Sequence, residues 1–108
     1  MPFSRQRTLA LLGKKRTEYQ CNHVVNEAIN GNKAVGGRAL SYLTWGTSTD
    51  SPSEGVVVVS NDGVHVGVFV SPTEFVHASL SKQEVIKAPL SQLPYVFPKG
   101  YKLRKPQE

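Results

Sequence analysis

Val64-His65-Val66-Gly67-Val68-Phe69-Val70 and, after Ser71-Pro72-Thr73, Glu74-Phe75-Val76-His77-Ala78-Ser79 form the stretch that decides the fold. Successive side chains of a strand point to opposite faces, so the first run sets four valines on one face and His65, Gly67 and Phe69 on the other. The same rule groups Phe75, His77 and Ser79 in the second run. Ser71-Pro72-Thr73 has turn composition. A hairpin closed with Val70 opposite Glu74 puts Gly67 opposite His77, with His65 as the diagonal neighbour. Diagonal partners sit roughly 7–8 Å apart at the backbone, a gap two imidazole rings can bridge. Gly67, lacking a side chain, leaves room for them.

Outward from this hairpin, β-branched residues predict further strands over Gly55–Ser60 and Glu84–Ala88, and a short one at Tyr95–Phe97 or Tyr101–Leu103. Asn61-Asp62-Gly63 is the turn before His65, and Ser48–Glu54 reads as a loop. On the N-terminal side, Cys21, Val24, Val25, Ala28 and Ile29 recur at helical spacing and predict an amphipathic helix over residues 21–30. Thr17 with Gln20 has the form of a capping box at its start, and Gly31 is its stop. A second helix is expected over Gly37–Trp45, with Ala39, Leu40, Tyr42 and Leu43 inward. The expected fold class is therefore α+β: N-terminal helices packed on an antiparallel meander of about five strands.

The chain of 108 residues suits one domain, 1–108. Hydrophobic residues at 39% and charged residues at 19% fit an ordinary globular protein. No apolar run approaches the roughly 20 residues that span a bilayer, which argues against a membrane role. The stretch Leu9–Leu12 is too short for the core of a secretory signal, so no export signal is expected. The net charge of +5 favours anionic surroundings. Its lysines and arginines gather at residues 5–16 and 99–105, and residues 1–16 and 99–108 read as solvated tails. Nucleic acid is disfavoured as a partner, because the basic residues share no single element and no platform of interleaved aromatics is present.

With one cysteine, no intramolecular disulfide can form, and Cys21 is either a buried filler or a reagent. A nucleophilic thiol needs a lowered pKa, a base within reach and a group that orients the base. The helix start offers Cys21 unpaired amides and the positive end of the dipole, which favour thiolate and an oxyanion. His65 is the candidate base and His77 the residue fixing its tautomer. Tyr19, Gln20 and Trp45 are candidate substrate-binding residues. His23 lies roughly 200° around the helix from Cys21 and takes no catalytic role. The alternative of His65, His77 and Cys21 as zinc ligands ranks below catalysis, since no acidic or second cysteine ligand accompanies them. No metal or cofactor is required.

The order of Tyr19-Gln20-Cys21-Asn22, then His65-Val66-Gly67-Val68-Phe69, then Phe75-Val76-His77-Ala78-Ser79 resembles the NlpC-type cell-wall cysteine peptidases, a branch of the papain-like fold. The likeness spans residues 19–88. In that family a cysteine opens a helix, a strand bears His-Val-Gly-(Ile/Val)-(Tyr/Phe), and a second polar residue, often histidine, follows about a dozen positions later. Two features depart from the pattern. Gln20-Cys21-Asn22-His23 stands where Asp-Cys-Ser-Gly is usual, and Val56 follows Gly55 where Gly-Asp is usual. The resemblance implies hydrolysis of peptide bonds in peptidoglycan stem peptides by a Cys21–His65–His77 triad.

Size, basic charge and the expected lack of an export signal further suggest an antibacterial effector or toxin. Such a protein is made in the bacterial cytoplasm and carried by a secretion system to the periplasm or wall of a target cell, with an immunity protein as partner. The alternatives are a papain-like acyltransferase or deamidase acting on a protein or lipid, and a basic nucleic-acid-binding module.

Overall fold

The computed structural model describes residues 3–107; Met1, Pro2 and Glu108 lie outside the described residues. The elements in chain order are α1 (Arg5–Leu9), α2 (Cys21–Asn30), a 3₁₀ turn (Ala39–Leu43), β1 (Thr47–Ser48), β2 (Val57–Ser60), β3 (Val66–Ser71), β4 (Glu74–Ser79) and β5 (Glu84–Pro89). A second 3₁₀ turn (Leu90–Gln92), α3 (Leu93–Val96) and β6 (Tyr101–Lys105) complete the chain. The fold is α+β, with one six-stranded antiparallel sheet in the order β1-β6-β2-β3-β4-β5.

Strand alternation separates two apolar layers. Val57, Val59, Val66, Val68, Val70, Val76 and Ala78 face α2, whose Val24, Val25 and Ala28 are wholly buried against them. Val56, Val58, Phe69 and Phe75 face the other way, onto Leu93, Phe97 and Leu103. The expected valine layer is thus the seat of α2. Helix α2 ends at Gly31, whose φ of 77° is the left-handed conformation that glycine adopts without strain.

Several expectations need correction. The meander is interrupted, because β6 lies between β1 and β2, with Val58 opposite Leu103 and Ser60 opposite Tyr101. Six strands, rather than about five, lie among the described residues, the extra one being the two-residue edge β1, Thr47–Ser48, where the expected loop begins. Tyr95–Phe97 is no strand: Pro94 sits in the first turn of α3 there. The expected helix over Gly37–Trp45 is only a 3₁₀ turn. With three residues per turn, Ala39 and Tyr42 share the buried side while Leu40 is 61% exposed. Local bonds such as Ser41 Oγ to Arg38 O, at 2.6 Å, favour this tighter turn.

The two basic ends are not solvated tails among the described residues. Thr8 and Leu11 are buried, and Gly13, Lys14 and Arg16 make backbone hydrogen bonds to Val85 and Gln83. The arginine heads serve as internal donors. Arg5 Nε donates to Val70 O at 3.0 Å, Arg7 to Glu27 O and Ala28 O at 2.7 Å, and Arg104 Nε to Trp45 O at 2.8 Å. These guanidiniums tie α1 to the C-terminal end of α2 and β6 to the segment before β1. No helix among the described residues is long and apolar enough to cross a membrane.

Candidate functional site

Cys21 is the first residue of α2, with Gln20 in extended conformation as the N-cap. The capping box is formed by Gln20 and His23, not Thr17 and Gln20: His23 Nδ1 accepts from Gln20 N at 3.2 Å, and the Gln20 side chain accepts from the His23 amide. The reason is the starting point, because a helix beginning at Cys21 has His23 at its third position. Gln20 is therefore engaged in holding the helix start.

The Cys21 sulfur is buried, and its Sγ lies 3.8 Å from Val64 O, against the peptide that leads into His65. Burial pushes the thiol pKa up, outweighing the Val66 and Asn22 amides and the Arg16 charge, which pull it down. The helix start was expected to lower this pKa. Desolvation wins because the sulfur packs inside the helix-side core. Cys21 rests as a neutral thiol.

His65 and His77 meet as the hairpin register requires. Val68 pairs with Val76 and Phe69 with Phe75, a register that sets Gly67 opposite His77. His65 Nε2 and His77 Nδ1 are 3.1 Å apart, with the rings edge to face at 88°. A Cβ on Gly67 would come within 3.0 Å of Val76 O and 3.2 Å of His77 Cβ, so the glycine makes this approach sterically free. The turn itself differs from expectation. Ser71, not Val70, faces Glu74, and the register shifts between Phe69 and Ser71.

Both rings are buried. His65 packs on Phe97 at a centroid distance of 5.3 Å, and His77 on Phe75 at the same distance. Burial, and then the Arg16 charge, push the His65 pKa down to about 4. For His77, burial and then His65 have the same effect, to about 4. Both imidazoles are neutral near pH 7, so each carries one ring proton and one bare nitrogen. Ser60 Oγ accepts from the amides of Val64 and His65, each at 3.1 Å, and donates to Asp62 Oδ1 at 2.7 Å. That hydroxyl locks the turn that delivers His65.

The side chains of two of the three candidates are thus in contact, and that of the third is not. His77 bonds His65, and Cys21 abuts the backbone that carries His65. No hydrogen bond joins Cys21 Sγ to either ring. The sulfur approaches the start of β3 from the helix side, whereas the rings lie on the Phe97 side. The Arg16 charge pulls down the pKa of both Cys21 and His65, and its buried Nε has no hydrogen-bond partner. In the sequence Arg16 falls in a basic end that reads as a tail, and nothing there gives Phe97 or Ser60 a role. A half-buried arginine has no local signature, and the Phe97 contact joins segments far apart in the chain.

A cavity of about 690 Å³ opens beside the rings, bordered by Val64, His65, His77, Ile86, Val96 and Phe97 among others. None of the candidate substrate-binding residues borders it. Tyr19 turns along α2, its hydroxyl 3.5 Å from Glu27 Oε1 and its ring under Lys33 Nζ at 4.6 Å. Trp45 packs edge-on against Tyr42 at 5.6 Å. Among the described residues no group of three His, Cys, Asp or Glu side chains could hold a metal ion, so the zinc alternative lacks its ligand set.

No protein-family model matches the chain, and no curated protein sequence matches it significantly.

Proposed function

We propose that the protein is a cysteine peptidase or amidase in which Cys21 is the nucleophile, His65 the base and His77 the residue that orients it. The observation that carries this reading is the 3.1 Å contact between His65 Nε2 and His77 Nδ1, on the strand whose entry at Val64 O the helix-start cysteine touches at 3.8 Å. That contact occupies Nε2 and leaves His65 Nδ1 as the nitrogen able to take a proton. The reaction requires Cys21 Sγ and the His65 ring, which lie on opposite sides of the start of β3, to come to one side. Nδ1 then accepts the Cys21 proton as Sγ bonds the substrate carbonyl carbon, and the amides at the start of α2 receive the developing oxyanion. The leaving amine takes the proton from His65 as the C–N bond breaks. Water, deprotonated by His65, then cleaves the thioester and restores the thiol.

The resting state suits general-base transfer rather than a preformed ion pair, because burial keeps thiol and imidazole neutral. The substrate that follows from the NlpC-type resemblance of residues 65–69 and 75–79 is the peptidoglycan stem peptide. Delivery as an antibacterial effector to a target cell's periplasm, with an immunity protein in the producer, completes the reading. Purified sacculi incubated with wild type, Cys21→Ala and His65→Ala test it by chromatography of the released peptides. New peptides from wild type alone are the expected result. Unchanged sacculi would overturn the wall substrate, and equal activity in the Cys21→Ala protein would overturn the nucleophile.

A further inference from the structure

Arg16 is half-buried, and its Nε is sealed from solvent with no hydrogen-bond partner. A guanidinium is always charged, so one held partly out of water is ordinarily met by a carboxylate or by carbonyl oxygens. Arg5, Arg7 and Arg104 obey that rule, each spending its head on backbone carbonyls. Arg16 does not. Among the described residues the ion pairs are Lys87 with Glu74 and Lys99 with Asp62, and Glu18 on the same turn and Glu84 on the facing strand make none with Arg16. Only its Nε is sealed, so the two terminal nitrogens keep accessible surface and free donors. The residue is also held in place just ahead of Cys21. Its amide donates to Gln83 O at 3.0 Å, Lys15 bridges Glu84, and the amides of Glu18 and Tyr19 fold back onto Lys15 O at 2.9 Å. Gln83, which supplies the acceptor, has a φ of 57°, a left-handed conformation uncommon for a residue with a side chain.

We infer that Arg16 is a carboxylate-binding subsite, its two terminal nitrogens donating in parallel to the two oxygens of a carboxylate that the peptide substrate carries near the bond attacked by Cys21. Nε stays in the wall and takes no part. Two observations set this subsite beside the thiol: the short turn from Arg16 to the start of α2, and the action of the Arg16 charge on both Cys21 and His65. A carboxylate docked there offsets that charge, so the proton affinities of Sγ and of the His65 ring rise together once the substrate is in place. The inference rests on the amidase reading for what the anchored peptide undergoes; the binding of a carboxylate stands on Arg16 itself.

The test is an NMR titration of the wild-type protein with N-acetyl-alanine, whose carboxylate is ionised near pH 7, and with N-acetyl-alaninamide, its neutral counterpart of the same shape. Saturable shifts of the Arg16 Nε–H signal are expected, with the acid bound roughly tenfold or more tightly than the amide. At saturation with the acid the pH profile of Cys21 alkylation should move to higher pH, and the amide should leave it in place. Arg16→Gln is expected to bind both probes alike in a protein that keeps its dispersed spectrum. Arg16→Lys, which keeps the charge without the planar fork, should retain a smaller preference for the acid. Equal affinity for the two probes, a preference that survives Arg16→Gln, or acid binding that leaves the alkylation profile unmoved would overturn the inference. Acid binding by a protein that cleaves nothing counts against the amidase alone. Cleavage of a peptide and of its amidated counterpart at one rate counts against this inference alone.

Discussion

His65 Nε2 and His77 Nδ1 stand 3.1 Å apart, so a single shared proton decides which nitrogen of His65 is free to act as a base. His77 touches no reacting atom in this arrangement; it is a positioning residue. His77→Ala removes the acceptor that holds the His65 proton on Nε2, and kcat is expected to fall roughly 10²-fold or more. His77→Gln, whose amide oxygen can accept the same proton, is expected to recover part of the loss. A merely structural role would give the two variants equal activity once folded, and the ratio of their kcat values decides the matter.

The pair also sets a pH limit on stability. Both rings are neutral when folded, with pKa values of about 4 against an ordinary 6.5, so the unfolded chain binds more protons between those values. Stability from this source is complete above about pH 6.5 and is lost as pH falls toward about 4, on the order of 3 kcal/mol for one fully shifted ring. Urea unfolding across this range should show the decline. In a folded His65→Gln, His77→Gln double variant the slope should flatten.

Gly67 is where the sheet admits the rings. Gly67→Ala places a methyl 3.0 Å from Val76 O and 3.2 Å from His77 Cβ, contacts that only a shift of β4 relieves. A loss of about 1–3 kcal/mol is expected in denaturant unfolding, as for other overpacked sites. Activity should fall further than stability alone explains, because the displaced group carries His77.

Arg16 acts on both partners of the proposed proton transfer, lowering the pKa of Cys21 and of His65. Arg16→Gln should therefore raise both. The thiol is read from the pH dependence of alkylation and the ring from its NMR titration. Opposite movements would show that the guanidinium charge does not act on both groups.

The hairpin was legible because it is local: period-two alternation and the Ser71-Pro72-Thr73 turn fix Gly67 opposite His77. Only the last residues of the turn slipped, where Ser71 takes the place opposite Glu74. The helix from Cys21 was equally plain in the spacing of Val24, Val25, Ala28 and Ile29. What the sequence hid was non-local. Tyr101–Lys105 shows one inward apolar residue, Leu103, between charged neighbours, and nothing local marks it as the partner of β2. The arginines of the N-terminal segment look like solvent charges, yet their long stems carry the heads to backbone carbonyls of α2 and β3. The raised thiol pKa has a related cause. A helix start favours thiolate only when water or a partner charge remains beside it, and here packing removes the water.

The central claim is that His65 takes the proton of Cys21. Iodoacetamide labelling of Cys21, followed by intact mass at pH 5–9, measures it in wild type and in His65→Ala. The account predicts that labelling near pH 7 is roughly tenfold or more faster in wild type, with the difference closing above the thiol's own pKa. Rates that coincide at every pH, in a His65→Ala protein as folded as wild type, would contradict it.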